Sequence, residues 1–145
     1  MELKRVVVTG LGAITPLGHN VADTWAAVVD GVSGAGPITR FDTSLFKTQF
    51  ACEVKDFDPS LYFDRKEARK YDRYAQYAVI AAKEGVEDSG LDLEKVNKNR
   101  VGVIFAAGIG GIRTFEEEVG GFYLNEDKGP RSEERRVGKE CRSRW

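Results

Sequence analysis

Two short apolar runs, each followed at once by glycine, constrain the fold of this chain more than any other feature. Residues 5–9 and 100–107 lack polar alternation, which is typical of strands buried on both faces of a parallel sheet. Parallel strands need long crossover connections, which are usually helical. Helical periodicity lies between the two runs, so the sequence predicts an α/β protein that contains the beginning of a βαβ arrangement.

Helix signals between the runs are local and well spaced. A first helix is predicted to begin after Asn20, a good N-cap residue, and to end just before Gly31. A second is predicted to run unbroken from an N-cap at Asp64, where a capping-box spacing occurs, to about Glu84. Residues 48–54 alternate between apolar and polar positions, which favours a further strand.

Composition and charge exclude several classes of protein. The formal net charge of −1 over 145 residues gives no reason to expect nucleic acid as a partner. No apolar run approaches the length of a membrane span, and the first apolar run is too short for a signal peptide. Two cysteines and one histidine argue against a disulfide framework and a metal site. We therefore expect a cytoplasmic protein without metal or membrane contact.

Each apolar run is followed by glycines, which fit either a ligand-binding turn or a purely structural turn. Gly10 and Gly12 suggest a dinucleotide-binding turn, but Thr15 stands where that motif needs a third glycine. A tight structural turn is the favoured interpretation there. Residues 108–111 lack the Lys-Ser/Thr pair of a P-loop, so a structural turn is favoured over a ligand site. A helix is predicted to follow from Arg113.

Five cations lie within nine residues at the start of the predicted second helix. They are Arg65, Lys66, Arg69, Lys70 and Arg73. Helical spacing would place most of them on one face. Taken alone, this pattern fits a solvated surface better than a binding surface for an anionic partner.

Cys52 and His19 are the other residues with chemical potential. Cys52 lies within the predicted strand at residues 48–54, without a helix N-terminus or nearby histidine to lower its pKa. A buried structural thiol is therefore favoured over a nucleophile. His19 lies in a glycine-rich turn and is expected to be exposed to solvent.

The last fifteen residues differ in composition from the rest. Residues 131–145 hold six basic and three acidic side chains and almost no apolar content. A disordered tail and a basic arm are two interpretations. A third is favoured, because these residues are identical to the in-frame translation of a common sequencing-library adapter. We therefore expect residues 1–130 to be the native domain and residues 131–145 to be a non-native tail, in which Cys141 has no function.

Eight stretches of the chain match one family in order: residues 5–18, 24–25, 31–34, 41–43, 54–57, 65–72, 88–91 and 108–111. Together they resemble the β-ketoacyl-acyl-carrier-protein synthases, a family of condensing enzymes. The Arg-Lys-Glu-x-Arg-Lys stretch at 65–70 points to the synthase II type.

This resemblance implies the thiolase fold, in which two βαβαβ halves stack in five layers and the subunits form homodimers. Residues 1–130 would be only the first part of the N-terminal half. The implied reaction is a decarboxylating Claisen condensation in fatty-acid biosynthesis, without a cofactor. Acyl and malonyl thioesters of an acyl carrier protein are the implied substrates. The family's catalytic cysteine and two histidines lie beyond residue 130, so this chain is expected to hold no catalytic residue and to be inactive.

The resemblance also assigns roles to four residues of this chain. Lys66, Arg69 and Lys70 match positions that bind the acidic acyl carrier protein, which reverses the preference for a merely solvated surface. Ile109 matches a residue that gates the acyl-chain pocket. Three alternatives stay open: the ketosynthase of a polyketide system, a non-catalytic module that binds carrier protein, and a nucleotide-binding domain.

Overall fold

The computed structural model describes residues 5–124, so the predicted tail at 131–145 lies outside the described residues. Most regular structure is helical. None of the described helices is both long and apolar enough to cross a bilayer. The helices are α1 Val21–Val29, α2 Arg65–Ala68, α3 Arg73–Asp88 and α4 Ile112–Leu124, with 3₁₀ turns at Pro59–Leu61 and Lys98–Arg100; the strands are β1 Gly36–Pro37 and β2 Phe50–Ala51.

The described strands form one small antiparallel pair. Gly36 lies opposite Ala51, and Pro37 lies opposite Phe50. The sequence predicts the second of these strands within residues 48–54, and the structure confirms a strand there, although it is only two residues long. The sequence does not predict the partner strand, because a two-residue strand carries too little alternation to be detected.

The first helix begins and ends where the sequence predicts. The side chain of Asn20 accepts a hydrogen bond from the Asp23 backbone N–H at 2.7 Å, which satisfies a donor that the helix itself leaves free. Beyond the helix, Gly31 adopts a φ of +68°, and its N–H donates to the Val28 carbonyl at 3.1 Å. Glycine is favoured at such a helix end because this backbone conformation is costly for other residues.

The two apolar runs are not strands in the described structure. Residues 5–9 and 101–107 pair with no strand among residues 5–124, and their side chains are uncovered. Val6 is 91% exposed and Ile104 is 96% exposed. The predicted strands are therefore wrong for this structure. An apolar run indicates only that burial would be favourable, whereas a strand also requires a neighbour to share its backbone hydrogen bonds.

The predicted helix from 64 to 84 is wrong as a single element, although its start is confirmed. Asp64 accepts hydrogen bonds from the N–H groups of the first turn at 2.7 Å, but α2 ends at Ala68 and α3 begins at Arg73. The side chain of Gln76 donates to the carbonyls of Ala68 at 2.8 Å and Tyr71 at 3.2 Å. These bonds satisfy carbonyls that the break would otherwise leave without partners.

The described residues divide into two compact units, each with a small core. In the unit formed by residues 5–58 and 79–103, Ile80 and Ala81 of α3 are buried. In the unit formed by residues 59–78 and 104–124, Phe63, Gln76 and Ala78 are buried. Gln76 is the polar member of this buried set, and no apolar pattern in the sequence indicates its burial.

Candidate functional site

The cationic surface, defined as Lys66, Arg69 and Lys70, lies at the break between α2 and α3. Lys66 is within α2, Arg69 is its C-cap, and Lys70 follows with its N–H donating to the Glu67 carbonyl at 2.9 Å. The predicted continuous helix face is therefore wrong. All three side chains are exposed, and none forms a salt bridge within residues 5–124. Their charge is available to an anionic partner.

The second glycine turn, residues 108–111, packs against a carboxylate that directly follows the cationic surface. Gly110 and Gly111 have φ values of +55° and +20°, a region that favours glycine. A Cβ atom added at Gly111 would collide with the Asp72 carboxylate. The other oxygen of this carboxylate, Oδ1, accepts a hydrogen bond from the Thr114 hydroxyl in the first turn of α4. Asp72 therefore holds both the turn and the start of α4.

A tyrosine from α3 supports the same turn. A Cβ added at Gly110 would lie 3.4 Å from the Tyr74 hydroxyl oxygen, so the ring lies in ordinary contact with the turn. The predicted gate residue, Ile109, precedes this glycine and is 78% exposed. The turn thus combines an anchored backbone at its glycines with an apolar side chain that nothing covers among the described residues.

The first glycine turn, residues 10–12, packs against the backbone of α3. A Cβ at Gly10 would collide with the Gly85 carbonyl, and a Cβ at Gly12 would collide with the Ala81 carbonyl. Backbone cannot move aside as the end of a flexible side chain can. These glycines are needed for close approach of two chain segments, which agrees with the favoured interpretation of a structural turn.

Two carboxylates of α3 hold the residues around the first glycine turn. Asp88 accepts from the Leu11 N–H at 2.8 Å. Glu84 accepts from the N–H groups of Ala13 and Val21, both at 2.8 Å. Since Val21 is the first residue of α1, a side chain of this chain already occupies the position where a phosphate would bind a helix N-terminus. This arrangement disfavours the dinucleotide interpretation.

Cys52 and His19 are arranged differently from the prediction. Cys52 is a free, exposed thiol, so its predicted burial is wrong; it lies one residue beyond β2, where the strand pairing has ended. His19 is half-buried rather than fully exposed. Its Nε2 donates to the Lys55 carbonyl at 2.8 Å, and its ring lies edge-on to Phe57 with centroids 5.9 Å apart. Among residues 5–124, no three metal-ligating side chains converge.

Comparison with known proteins decides the family. The model of the β-ketoacyl synthase N-terminal domain matches residues 3–143. The chain belongs to the β-ketoacyl synthase family. The 3-oxoacyl-acyl-carrier-protein synthase 2 of Coxiella burnetii is 51% identical over 117 residues, which cover 81% of this chain and 28% of that protein. The enzyme of the same name from Synechocystis is 45% identical over 130 residues, or 90% and 30% of the two chains. The chain therefore spans less than a third of these relatives.

Solved structures agree with this family. A type II polyketide ketosynthase, solved with its acyl carrier protein, is 31% identical over 88% of this chain and 33% of its own, with a TM-score of 0.66. A β-ketoacyl synthase from Burkholderia phymatum is 25% identical over 88% and 32%, with a TM-score of 0.60. The predicted thiolase-like class is thus confirmed, and this ketoacyl synthase chain covers only part of the fold's N-terminal region.

The sequence indicates the cationic surface and Ile109 but not the side chains that position them. Asp72 lies within a recognised motif, yet its partner Thr114 is 42 residues away. Glu84 is separated from the Ala13 N–H by 71 residues. The only sequence signal for such contacts is a carboxylate on the inner side of a predicted helix. That signal does not identify the group that the carboxylate binds.

Proposed function

We propose that this chain is the N-terminal part of a 3-oxoacyl-acyl-carrier-protein synthase that elongates acyl chains in fatty-acid biosynthesis. The observation that carries the proposal is the 45–51% identity to two enzymes of that name, over 117 and 130 residues. In the complete protein we expect a cytoplasmic homodimer that acts without a cofactor on acyl and malonyl thioesters.

The proposed reaction forms one carbon–carbon bond and breaks one. An acyl group is first transferred from its carrier to a cysteine thiolate. Malonyl thioester then loses carbon dioxide, and the resulting enolate attacks the acyl carbonyl and expels the cysteine thiolate. Such chemistry needs a thiol with a lowered pKa, and donors that stabilise the developing oxyanion. Cys52 is exposed one residue beyond a two-residue strand, and none of the described helices begins within six residues of it along the chain.

The proposed partner site is the cationic surface. Acyl carrier proteins are acidic, and opposite charges raise the rate of association and orient the partners. Lys66, Arg69 and Lys70 are exposed and form no salt bridge within the described part of the chain, so binding would not require breaking an internal ion pair. Ile109, exposed at the second glycine turn, is the proposed gate of the acyl pocket.

Binding of a bacterial acyl carrier protein tests the proposed partner directly. Replacing Lys66, Arg69 and Lys70 together by Glu is expected to weaken binding at least about tenfold, measured by titration calorimetry. Lys98→Glu reverses an exposed charge outside this surface and serves as the matched control. Equal affinity of the triple variant and the wild-type chain would refute the partner site.

Activity of the 145-residue chain separates this proposal from a complete enzyme. We expect no condensation and no decarboxylation of malonyl carrier protein above a no-protein control. Cys52→Ser is the matched variant, since it removes the one thiol among the described residues. Turnover that disappears in Cys52→Ser would show that the proposed absence of catalytic machinery is wrong.

A polyketide ketosynthase is the second candidate function. The solved ketosynthase of a type II polyketide synthase, at 31% identity and a TM-score of 0.66, favours it. Tighter binding of a polyketide carrier protein than of a fatty-acid carrier protein by the wild-type chain would support this candidate. The opposite preference supports fatty-acid elongation.

The proposed domain boundary at residue 130 has its own test. If residues 131–145 are translated adapter, amplification of source DNA with primers on both sides of this junction should give a different coding sequence after Pro130. Genomic DNA that encodes Arg131 through Trp145 without interruption would refute the boundary.

A further inference from the structure

Asp72 contacts the second glycine turn. Neither the proposed binding of carrier protein at the cationic surface nor the proposed gate role of Ile109 accounts for this contact. The Asp72 carboxylate meets one other segment at two points: Oδ2 lies close to Gly111, and Oδ1 accepts from the Thr114 hydroxyl. Asp72 also follows Lys70 by only two residues. One side chain therefore connects the segment that carries the cationic surface with the segment that carries Ile109.

The backbone on each side of this contact is the starting point of a helix. The Asp72 carbonyl accepts from the Gln76 N–H at 2.9 Å at the start of α3. The Gly111 carbonyl accepts from the Phe115 N–H, also at 2.9 Å, at the start of α4. The Asp72 carboxylate lies close to the Gly111 backbone, so a displacement of either segment changes this contact.

Burial makes the connection stiff on the α3 side. Gln76 is 6% exposed and donates to Ala68 and Tyr71, the residues that flank Arg69 and Lys70. The break that displays the cationic surface is thus held by the same first turn of α3 that holds the glycine turn. By contrast, Ile109 is 78% exposed, so its movement meets no packing resistance among the described residues.

We propose that Asp72 is a positioning residue that transmits binding at the cationic surface to the second glycine turn and thereby to Ile109. The proposal deepens the proposed function and rests on it. A carrier protein that pulls on Lys70 or Arg69 shifts the break, the Asp72 carboxylate moves with it, and Gly111 follows. Thr114 keeps the carboxylate oriented toward the turn.

Hydrogen exchange of residues 108–112, followed by mass spectrometry with and without octanoyl acyl carrier protein, tests this transmission. In Thr114→Val, which removes the hydroxyl donor, exchange of the free chain at residues 108–112 is expected to accelerate about tenfold. The change in exchange that carrier protein causes there is expected to disappear. Thr114→Ser restores the hydroxyl and should restore both values.

The affinity for carrier protein distinguishes positioning from a general loss of structure. Thr114→Val and Asp72→Ala should bind the carrier within about twofold of the wild-type chain, since neither removes a cation of the surface. Asp72→Asn keeps an acceptor oxygen and should resemble wild type in exchange. Lys66→Glu should do the reverse, weakening binding without changing exchange of the free chain at residues 108–112.

Three outcomes would overturn the proposal. The first is an unchanged exchange rate at residues 108–112 in Thr114→Val. The second is a full carrier-induced change in Asp72→Ala. The third is a wild-type chain that does not bind octanoyl carrier protein, which refutes the proposed partner and the transmission with it. In that case the exchange rates of the free chain still decide whether Asp72 anchors the turn, so the two failures are distinguishable.

Discussion

The two glycine turns follow the same kind of apolar run, yet they are held by different kinds of contact. At residues 10–12, Gly10 and Gly12 press directly against the α3 backbone at Gly85 and Ala81. At residues 108–111, the contacts come from side chains, the Asp72 carboxylate and the Tyr74 ring. Backbone-to-backbone approach leaves no adjustable part, whereas a side chain can rotate. We infer that the first turn serves the fold and that the second is suited to movement.

The largest expected effect comes from adding a methyl group to the first turn. Gly12→Ala places a Cβ against the Ala81 carbonyl and should lower the free energy of opening of the α3 amides by about 3 kcal/mol. Hydrogen exchange of residues 79–88 measures it. Gly120→Ala is the control, since nothing lies within 4 Å of its Cβ position and alanine favours the helix. An effect of Gly12→Ala as small as that of Gly120→Ala would show that the first turn tolerates a Cβ and is not held by close backbone approach.

A smaller effect is expected from the carboxylate that supports the first turn. Glu84→Ala leaves the N–H groups of Ala13 and Val21 without their acceptor and should cost about 2 kcal/mol in the opening free energy of α1. Exchange of residues 21–29 measures the change. Glu87→Ala removes an exposed carboxylate from the same helix and should change this value by less than about 0.5 kcal/mol. An equally small effect of Glu84→Ala would mean that water replaces the carboxylate.

A second carboxylate–threonine pair, in which Glu53 is half-buried, allows a comparison with the Asp72–Thr114 hydrogen bond. The Thr39 hydroxyl donates to Glu53 at 2.7 Å, and this hydrogen bond is the main cause that lowers the pKa of Glu53. The hydrogen bond therefore stabilises the fold at pH values above the pKa that Glu53 has in the unfolded chain. This stabilisation is lost as the pH falls through the lower pKa that Glu53 has in the folded chain. Thr39→Val should raise the pKa of Glu53, followed by NMR titration, and Thr39→Ser should preserve it. An unchanged pKa in Thr39→Val would contradict this cause.

The smallest expected effect concerns the exposed residue of the second turn. Ile109→Ala should change the opening free energy of α4 by less than about 0.5 kcal/mol, because the side chain is 78% exposed. Exchange of residues 112–124 measures it, with Ala13→Gly, next to the first turn, as a comparison in the other unit. A loss above about 1 kcal/mol would show that Ile109 has a packing role, which would weaken its assignment as a gate.

Local signals predicted the helix starts well and the strands poorly. Asn20 and Asp64 act as N-caps as expected, because a cap depends on groups two or three residues away. The runs at 5–9 and 101–107 fail as strands in this structure, because strand pairing needs a neighbour that the described residues do not supply. The cationic surface was identified by resemblance, but its position at a helix break was not.

What the sequence by itself determined is the family, the capped helix starts and the presence of a turn at each group of glycines. These follow from residue types and from spacings of a few positions. Tertiary structure alone decided that the helix breaks before Arg73, that Cys52 is exposed, and that Asp72 meets Gly111 and Thr114. The physical reason is that these outcomes depend on contacts between residues far apart in the chain, and no local preference specifies which distant group will satisfy a given carboxylate or carbonyl.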